Sequence, residues 1–526
     1  MGPKISKRPN IDYMKKLSHL TRSSLLVAFF FGLDKILAFG RSILIARQFG
    51  LSIELDAFNA ANNLPDLLFA MISGGALAMA IIPILTETFT IQGREVAWNL
   101  FSRVANFAFL VTGGMALLIA VFADQIVSSK VGIVPGFTPE NQVLVAGLMR
   151  LNLIATVVFS ISGLVMASLQ ANQHFLLPAM APSLYNLGMI FGALVLSPSK
   201  PYSIGPVALP AFGLGVHGLV YGVILGACLH LGIQVPGLIK FGFRWAPSLN
   251  IRDTGMLQVI KVLAPRLLTM LGIQMTFIIR DNLASRLPAG SISSLTYGWM
   301  IMQVPETLIG TAIATALLPT LSEMAARLDW TAFRETIEKA VRVLLALTLP
   351  VAAVIAAGIN PLVRAAFGFD AAGTAMLTWT VRVYLLSLTG YTIHEVVSRS
   401  FYARKEAWYP FAGVLIRLVL FTGIGILAVR VFSSTGAPAI AFTELALTVE
   451  AIFLFFLLDA RLPQRIGGGS SLLLGLLAAL VGGSVTYGLA TYLPGGAVLT
   501  ALLGMTIGGL VSLAIVWKDV RLLFKM

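Results

Sequence analysis

Leu64-Pro65-Asp66-Leu67-Leu68 returns as Val304-Pro305-Glu306-Thr307-Leu308, and Pro83-Ile84-Leu85-Thr86-Glu87 returns as Pro319-Thr320-Leu321-Ser322-Glu323. A third pair sets Leu169-Gln170-Ala171-Asn172 and Pro178 against Phe401-Tyr402-Ala403-Arg404 and Pro410. The three pairs keep one chain order at an offset of about 236 residues, which marks an internal duplication rather than chance likeness of apolar strings. The repeated blocks lie in a chain of 526 residues that is 57% apolar and only 11% charged. A soluble protein carries about 25% charge. At roughly 20 apolar residues per crossing, this content supplies about a dozen or more membrane spans. The mean hydropathy of +0.88 agrees. Disordered, collagenous and disulfide-scaffold classes are excluded by the same composition.

Apolar windows place fourteen helices, from 24–49 and 60–84 at the start to 469–492 and 497–517 at the end. Transmembrane β-strands would alternate apolar and polar positions, and Leu472 to Leu480 does not, so the expected fold is all-α and polytopic. Six helices separate matched elements, so the two copies share one membrane orientation. This predicts two parallel-repeat lobes of six helices, 24–240 and 258–460, with a site between them near the midplane. Residues 466–526 add two more helices and a short basic tail. Residues 1–23 form a basic N-terminal tail with Lys4, Lys7, Arg8, Lys15, Lys16 and Arg22. The segment Ser24 to Gly50 is too long for a signal-peptide core and reads as a retained first helix. With the N-terminus inside, inside loops collect roughly two dozen Lys and Arg against about half a dozen outside, so both termini are expected in the cytoplasm.

The formal charge of +14 (37 Lys and Arg less 23 Asp and Glu) follows from that loop bias and does not indicate nucleic acid. Cys228 is the single cysteine, which forbids an intrachain disulfide. Gly213-Leu214-Gly215-Val216-His217-Gly218 matches a dinucleotide pattern formally, but it is read inside an apolar helix. Gly218, Gly222 and Gly226 continue it as a small-residue stripe for close helix packing. His394-Glu395 lacks the second histidine of a zinc motif, since position 398 is Ser. With no triad, metal set or nucleotide loop, the expectation is a transporter, not an enzyme, without cofactor or metal. Its energy would come from a monovalent cation gradient or the membrane potential.

Charges inside spans cost roughly 2.5–3.5 kcal/mol each unless paired or wet, so they mark function. Asp34, Ala38 and Arg41 share a face of the first helix, with Lys35 about 100° away. The seventh helix carries Arg266 and the Arg280-Asp281 pair. These helices open the two repeats, which predicts a wet chamber in which Lys35, Arg41, Arg266 and Arg280 grip an anionic head group. Phosphate suits the bidentate fork of Arg.

Phe39-Gly40-Arg41-Ser42-Ile43-Leu44-Ile45-Ala46-Arg47-Gln48-Phe49-Gly50, then Asp56-Ala57-Phe58 and Asn63-Leu64-Pro65, resembles the start of the MurJ (MviN) lipid II flippases. The likeness continues through Gly75-Ala76-Leu77, Leu177-Pro178-Ala179, Ala181-Pro182-Ser183, Gly290-Ser291-Ile292-Ser293 and Leu317-Leu318-Pro319-Thr320-Leu321-Ser322, over about residues 24 to 460. The resemblance implies the multidrug/oligosaccharidyl-lipid/polysaccharide exporter fold. It also implies a role in peptidoglycan biosynthesis, cell wall biogenesis and cell shape: moving undecaprenyl-pyrophosphate-linked precursor, lipid II, from the inner to the outer leaflet of the bacterial cytoplasmic membrane by alternating access. Cell-wall synthesis proteins are the further partners it suggests. Arg41, Arg47 and Asp56 match charged family positions, and Lys35 stands where the family has Arg. Asp34, Arg47, Asp56 and Asp281 are the expected cavity and gating residues. The family cation after Leu-Pro-x-Leu-Leu is replaced by Phe69 and Ala70, the acidic residue before Gly-Ala by Gly74, and the arginine of helix 8 by Met300. Arg266 or Arg280 would have to compensate. The alternatives are export of another polyprenyl-linked glycan or amphiphile, and a non-transporting cell-envelope scaffold of the same fold.

Overall fold

The structure, a computed structural model, describes residues 11–74, 76–204, 206–250 and 254–525. Within these ranges the side chains of 11–25, 72–74, 76, 78–80, 204, 207, 254–255, 258, 260–266, 268–269 and 525 lie outside the description. The helices in chain order are α1 (Ile11–Phe49), α2 (Ile53–Ala61), α3 (Asn63–Leu68), α4 (Ala76–Ile91), α5 (Arg94–Val121), α6 (Ala123–Ser128), α7 (Pro139–Ala171), α8 (Leu176–Phe191), α9 (Val216–Gly232), α10 (Val235–Lys240) and α11 (Thr254–Ala284). They continue as α12 (Ser291–Pro305), α13 (Ala312–Ala326), α14 (Trp330–Phe367), α15 (Ala371–Leu386), α16 (Leu388–Ala403), α17 (Trp408–Val431), α18 (Ala437–Ala441), α19 (Leu445–Asp459), α20 (Gly469–Tyr492) and α21 (Ala497–Val520). The strands among the described residues are a small antiparallel ribbon, β1 (Ser203–Ile204) with β2 (Val207–Ala208).

Ten helical runs among the described residues are long and apolar enough to cross a membrane. The other four segments that the sequence marks as spans are α1, α2–α4, α11 and α15–α16, and these too are helical. They carry Asp34, Lys35, Arg41, Asp66, Arg280, Asp281, His394 and Glu395.

The duplication reaches the level of single hydrogen bonds. A π-helical turn, Phe69–Gly74, follows the first Pro-Asp motif, and another, Glu306–Thr311, follows Pro305. Gln173 and Lys405 both adopt left-handed backbone, with φ of 58° and 62°. Each sits in the same turn: His174 N donates to Leu169 O at 2.9 Å, and Glu406 N donates to Phe401 O at 2.9 Å. Since left-handed backbone is costly for a residue with a Cβ, its presence at both matched positions is a shared feature of the copies.

The chain divides into two units, one of 1–44, 64–122 and 147–270, the other of 45–63, 123–146 and 271–526. In the first unit, Trp98 is the core anchor. It meets Phe89, Phe101 and Phe243 edge-on and donates its indole N–H to Phe241 O at 3.2 Å. Edge-to-face pairs and a satisfied indole are what let so large a ring be buried. Helices α8 and α9 touch backbone to backbone. A Cβ added at Gly188 would lie 2.4 Å from Gly226 Cα, and one at Gly192 would lie 2.7 Å from Gly222 Cα. The expected glycine stripe therefore has its partner stripe on α8 and the π turn after it. Gly213 and Gly215, by contrast, lie ahead of α9 with φ of 69° and 54°, not inside a helix as the sequence reading had them. Gly188→Ala is expected to lower stability by about 1–3 kcal/mol, the usual cost of overpacking, seen as an earlier thermal transition of the purified chain.

The second unit packs α14 against α20 and α21, so the two helices beyond the duplication are fixed to its ninth span. Arg342 Nη2 meets the buried Asp519 Oδ1 at 2.6 Å, and Arg342 Nε donates to Ser471 Oγ at 3.1 Å. Phe333, Leu344, Val396, Phe401 and Leu454 form the neighbouring core.

Candidate functional site

Asp34 and Arg41 stand seven residues apart on α1, about two turns, and so share a face. Helix α8 inserts Asn186 between them. Arg41 Nη1 donates to Asn186 Oδ1 at 2.8 Å, and Asn186 Nδ2 donates to Asp34 Oδ1 at 2.8 Å. One amide thus gives its acceptor to the cation and a donor to the carboxylate, the only orientation that serves both. The Arg41 guanidinium lies over the Tyr185 ring, 5.7 Å from its centroid, with Nη1 3.2 Å from Met189 Sδ. Gly226 leaves the space that Tyr185 fills, since a Cβ there would lie 2.7 Å from the ring. Arg41 is only partly buried, and Lys35, on another face of α1, is exposed. The first unit therefore presents one oriented guanidinium, with Lys35 on the exposed side of the same helix.

Arg280 has a different setting. It is buried in the second unit, its Nε 2.8 Å from Asp281 Oδ1 and its guanidinium over Phe277. Asp281 also accepts from Asn63 Nδ2 at 2.8 Å. Its charge is thus matched inside the unit. Arg266 lies on α11, and its side chain is outside the described residues.

Arg47 and Asp56 hold helix ends. Arg47 donates from Nε to Ala366 O at 2.7 Å and from Nη2 to Ala365 O at 2.6 Å, placing a cation on the last carbonyls of α14. Asp56 is buried and accepts from Gly290 N at 2.7 Å, Ser293 N at 2.7 Å and Ser293 Oγ at 2.6 Å. Gly290, whose φ of 85° favours glycine, has no side chain to cap α12, so Asp56 supplies the cap from a distant stretch of chain. Both charges oppose the partial charge of the helix end they touch.

Sequence reasoning missed the partners of these groups. Asn186 and Tyr185 are uncharged residues in an apolar helix and gave no signal. Buried Arg417, Glu444 and Glu450 did carry one, as isolated charges in apolar spans. Arg417 Nε lies 3.4 Å from Glu450 Oε2, His394 Nε2 lies 3.2 Å from Glu450 Oε1, and the Tyr391 hydroxyl donates to Glu444. At the position where the resemblance leads one to expect a helix 8 arginine, Met300 adjoins Trp299, which packs edge-on against Phe277, Tyr384 and Tyr391. Among the described residues no three His, Cys, Asp or Glu side chains are grouped to hold a metal ion.

The family model described as Lipid II flippase MurJ matches residues 45–506. The chain belongs to the MurJ family. Among MurJ proteins, the lipid II flippase MurJ of Burkholderia cenocepacia is 28% identical, over 76% of this chain and 77% of its own length. The probable lipid II flippase MurJ of Buchnera aphidicola subsp. Acyrthosiphon pisum is 25% identical, over 82% of each chain. A solved lipid II flippase MurJ in an inward closed conformation superposes with a TM-score of 0.76 at 21% identity, covering 94% of this chain and all of that one. An inward-facing MATE family transporter of the MOP superfamily follows the same fold, with a TM-score of 0.67 at 15% identity over 81% of this chain and 94% of that one. The MurJ family carries a transporter rather than an enzyme, and this is a multi-pass membrane protein of that kind.

Proposed function

We propose that this chain is a lipid II flippase, which moves the undecaprenyl-pyrophosphate-linked precursor from the inner to the outer leaflet by alternating access. The observation that carries this reading is Arg41, aimed by Asn186 and Tyr185 at the partly open face of the first unit in a MurJ-family chain. A guanidinium whose plane is fixed in advance loses little freedom when it meets a pyrophosphate, so its charge and remaining N–H groups are available for charge-assisted bonds. Lys35, exposed on the same helix, adds a second positive charge to the approach. The basic loops, with Lys240, Arg244, Arg404, Lys405 and Lys518 among them, support both termini on the cytoplasmic side of the bacterial cytoplasmic membrane. The membrane potential, worth about 2.3 kcal/mol per charge per 100 mV, or a monovalent cation gradient drives the cycle. Cell-wall synthesis enzymes that consume lipid II at the outer face are its natural partners.

Complementation tests the reading. Cells depleted of their own lipid II flippase are expected to resume growth when they express this chain, and to expose labelled lipid II at the outer leaflet. Good membrane expression without either effect would count against it.

A further inference from the structure

We propose that Asp66 is a second ligand-binding residue of the first unit, a carboxylate that takes a positively charged amino group of the cargo beside Arg41. This inference rests on the flippase reading and adds a recognition element to it.

The argument starts from the duplication. Asp66 and Glu306 occupy the same place in the sequence of the two copies, directly after the repeated proline, with a π-helical turn that begins three residues after Asp66 and at Glu306 itself. Glu306 is buried and held. Thr307 Oγ1 donates to Oε2 at 3.2 Å and Thr311 Oγ1 donates to Oε1 at 3.0 Å. The first copy lacks both partners. One and five residues after Asp66 stand Leu67 and Met71. Asp66 accordingly makes no hydrogen bond or ion pair among the described residues, and its side chain is exposed.

A bare carboxylate in a span is expensive in lipid, so its exposed side faces water. Phe69, one turn on from Asp66, meets Phe159 edge-on with ring centroids 5.4 Å apart, and Phe159 meets Tyr185, the ring that also carries Arg41, at 5.2 Å. One surface of the first unit thus offers a guanidinium for an anion and a free carboxylate for a cation. Peptidoglycan precursors offer the matching pair, a pyrophosphate and a peptide with a side-chain ammonium. An ammonium brings three donors to a carboxylate that has none.

Two undecaprenyl-pyrophosphate-linked precursors that differ only at the peptide side-chain amine, one free and one N-acetylated, test this directly. Binding of each to the full chain in lipid nanodiscs is measured for the unmodified protein, Asp66→Asn and Asp66→Glu. The unmodified protein is expected to prefer the free amine about tenfold, a difference of about 1.4 kcal/mol. Asp66→Asn is expected to bring that ratio to near one, and Asp66→Glu to keep part of it. Equal binding of both precursors to the unmodified protein, or a preference that survives in Asp66→Asn, overturns the inference and leaves the flippase reading standing. Binding of neither precursor overturns both.

Discussion

Arg41→Ala is expected to cut lipid II translocation at least about a hundredfold while the amount of folded protein in the membrane stays near that of the parent. Hydrogen bonds to charged partners contribute about 1.5–3 kcal/mol each, and Arg41→Ala removes every such bond that this side chain makes to the pyrophosphate. The cost to folding is smaller, because Arg41 is only partly buried and the buried Asn186 keeps its bond to Asp34. Arg41→Lys separates charge from shape. A lysine keeps the positive charge but cannot both hold Asn186 and fork onto phosphate, so a loss of about tenfold is expected. Asn186→Leu probes the same geometry from the other side. Without the bridging amide, Asp34 and Arg41 are free to pair with each other, and translocation is expected to fall although every charge remains. Proteoliposome translocation, normalised to immunoblotted protein, reads all three. An Arg41→Ala chain working within threefold of its parent would remove this residue from the mechanism.

Asp56→Ala is expected to destabilise the second unit by on the order of 3 kcal/mol or more, because three donors converge on one buried carboxylate and all three are stranded by the change. The side chain is 1% exposed, so water does not replace it without disturbing the packing of α2 against α12. Asp56→Asn should recover only part of the loss. Its amide oxygen can still accept from Ser293, but its NH2 then faces the Gly290 N–H, donor against donor. Thermal unfolding of the detergent-solubilised chain, followed by tryptophan fluorescence, is expected to rank the parent above Asp56→Asn and Asp56→Ala lowest. Equal transitions for all three would show that the cap contributes little.

How far residues could be read before the structure depended on the kind of signal. Apolar runs and the matched motifs around Pro65 and Pro305 are local patterns, and they led to the spans, the two copies and the family. The charges were visible for the same reason, since Arg41 or Arg280 in an apolar run stands out. Their roles were not visible. Asp56 and Arg47 look like site residues by type, yet each acts on a helix end more than 200 residues away in the chain, a contact that only folding creates. Asn186 is the converse case, an ordinary residue made important by its place between two charges. Asp66 lies within a repeat motif, and only comparison with the hydrogen-bonded Glu306 shows that its own partners are missing.

The grips of Arg47 and Asp56 fall within one stretch of ten residues that runs from the last turn of α1 into α2. That stretch ties the tail of α14 to the head of α12 like a short strap buckled at both ends. A shift of either helix loads the bonds that hold the other. Movement in this corner of the second unit therefore either carries both helices along or breaks one of the two fastenings, and the exposed Arg47 is the one that water can replace more readily than the buried Asp56.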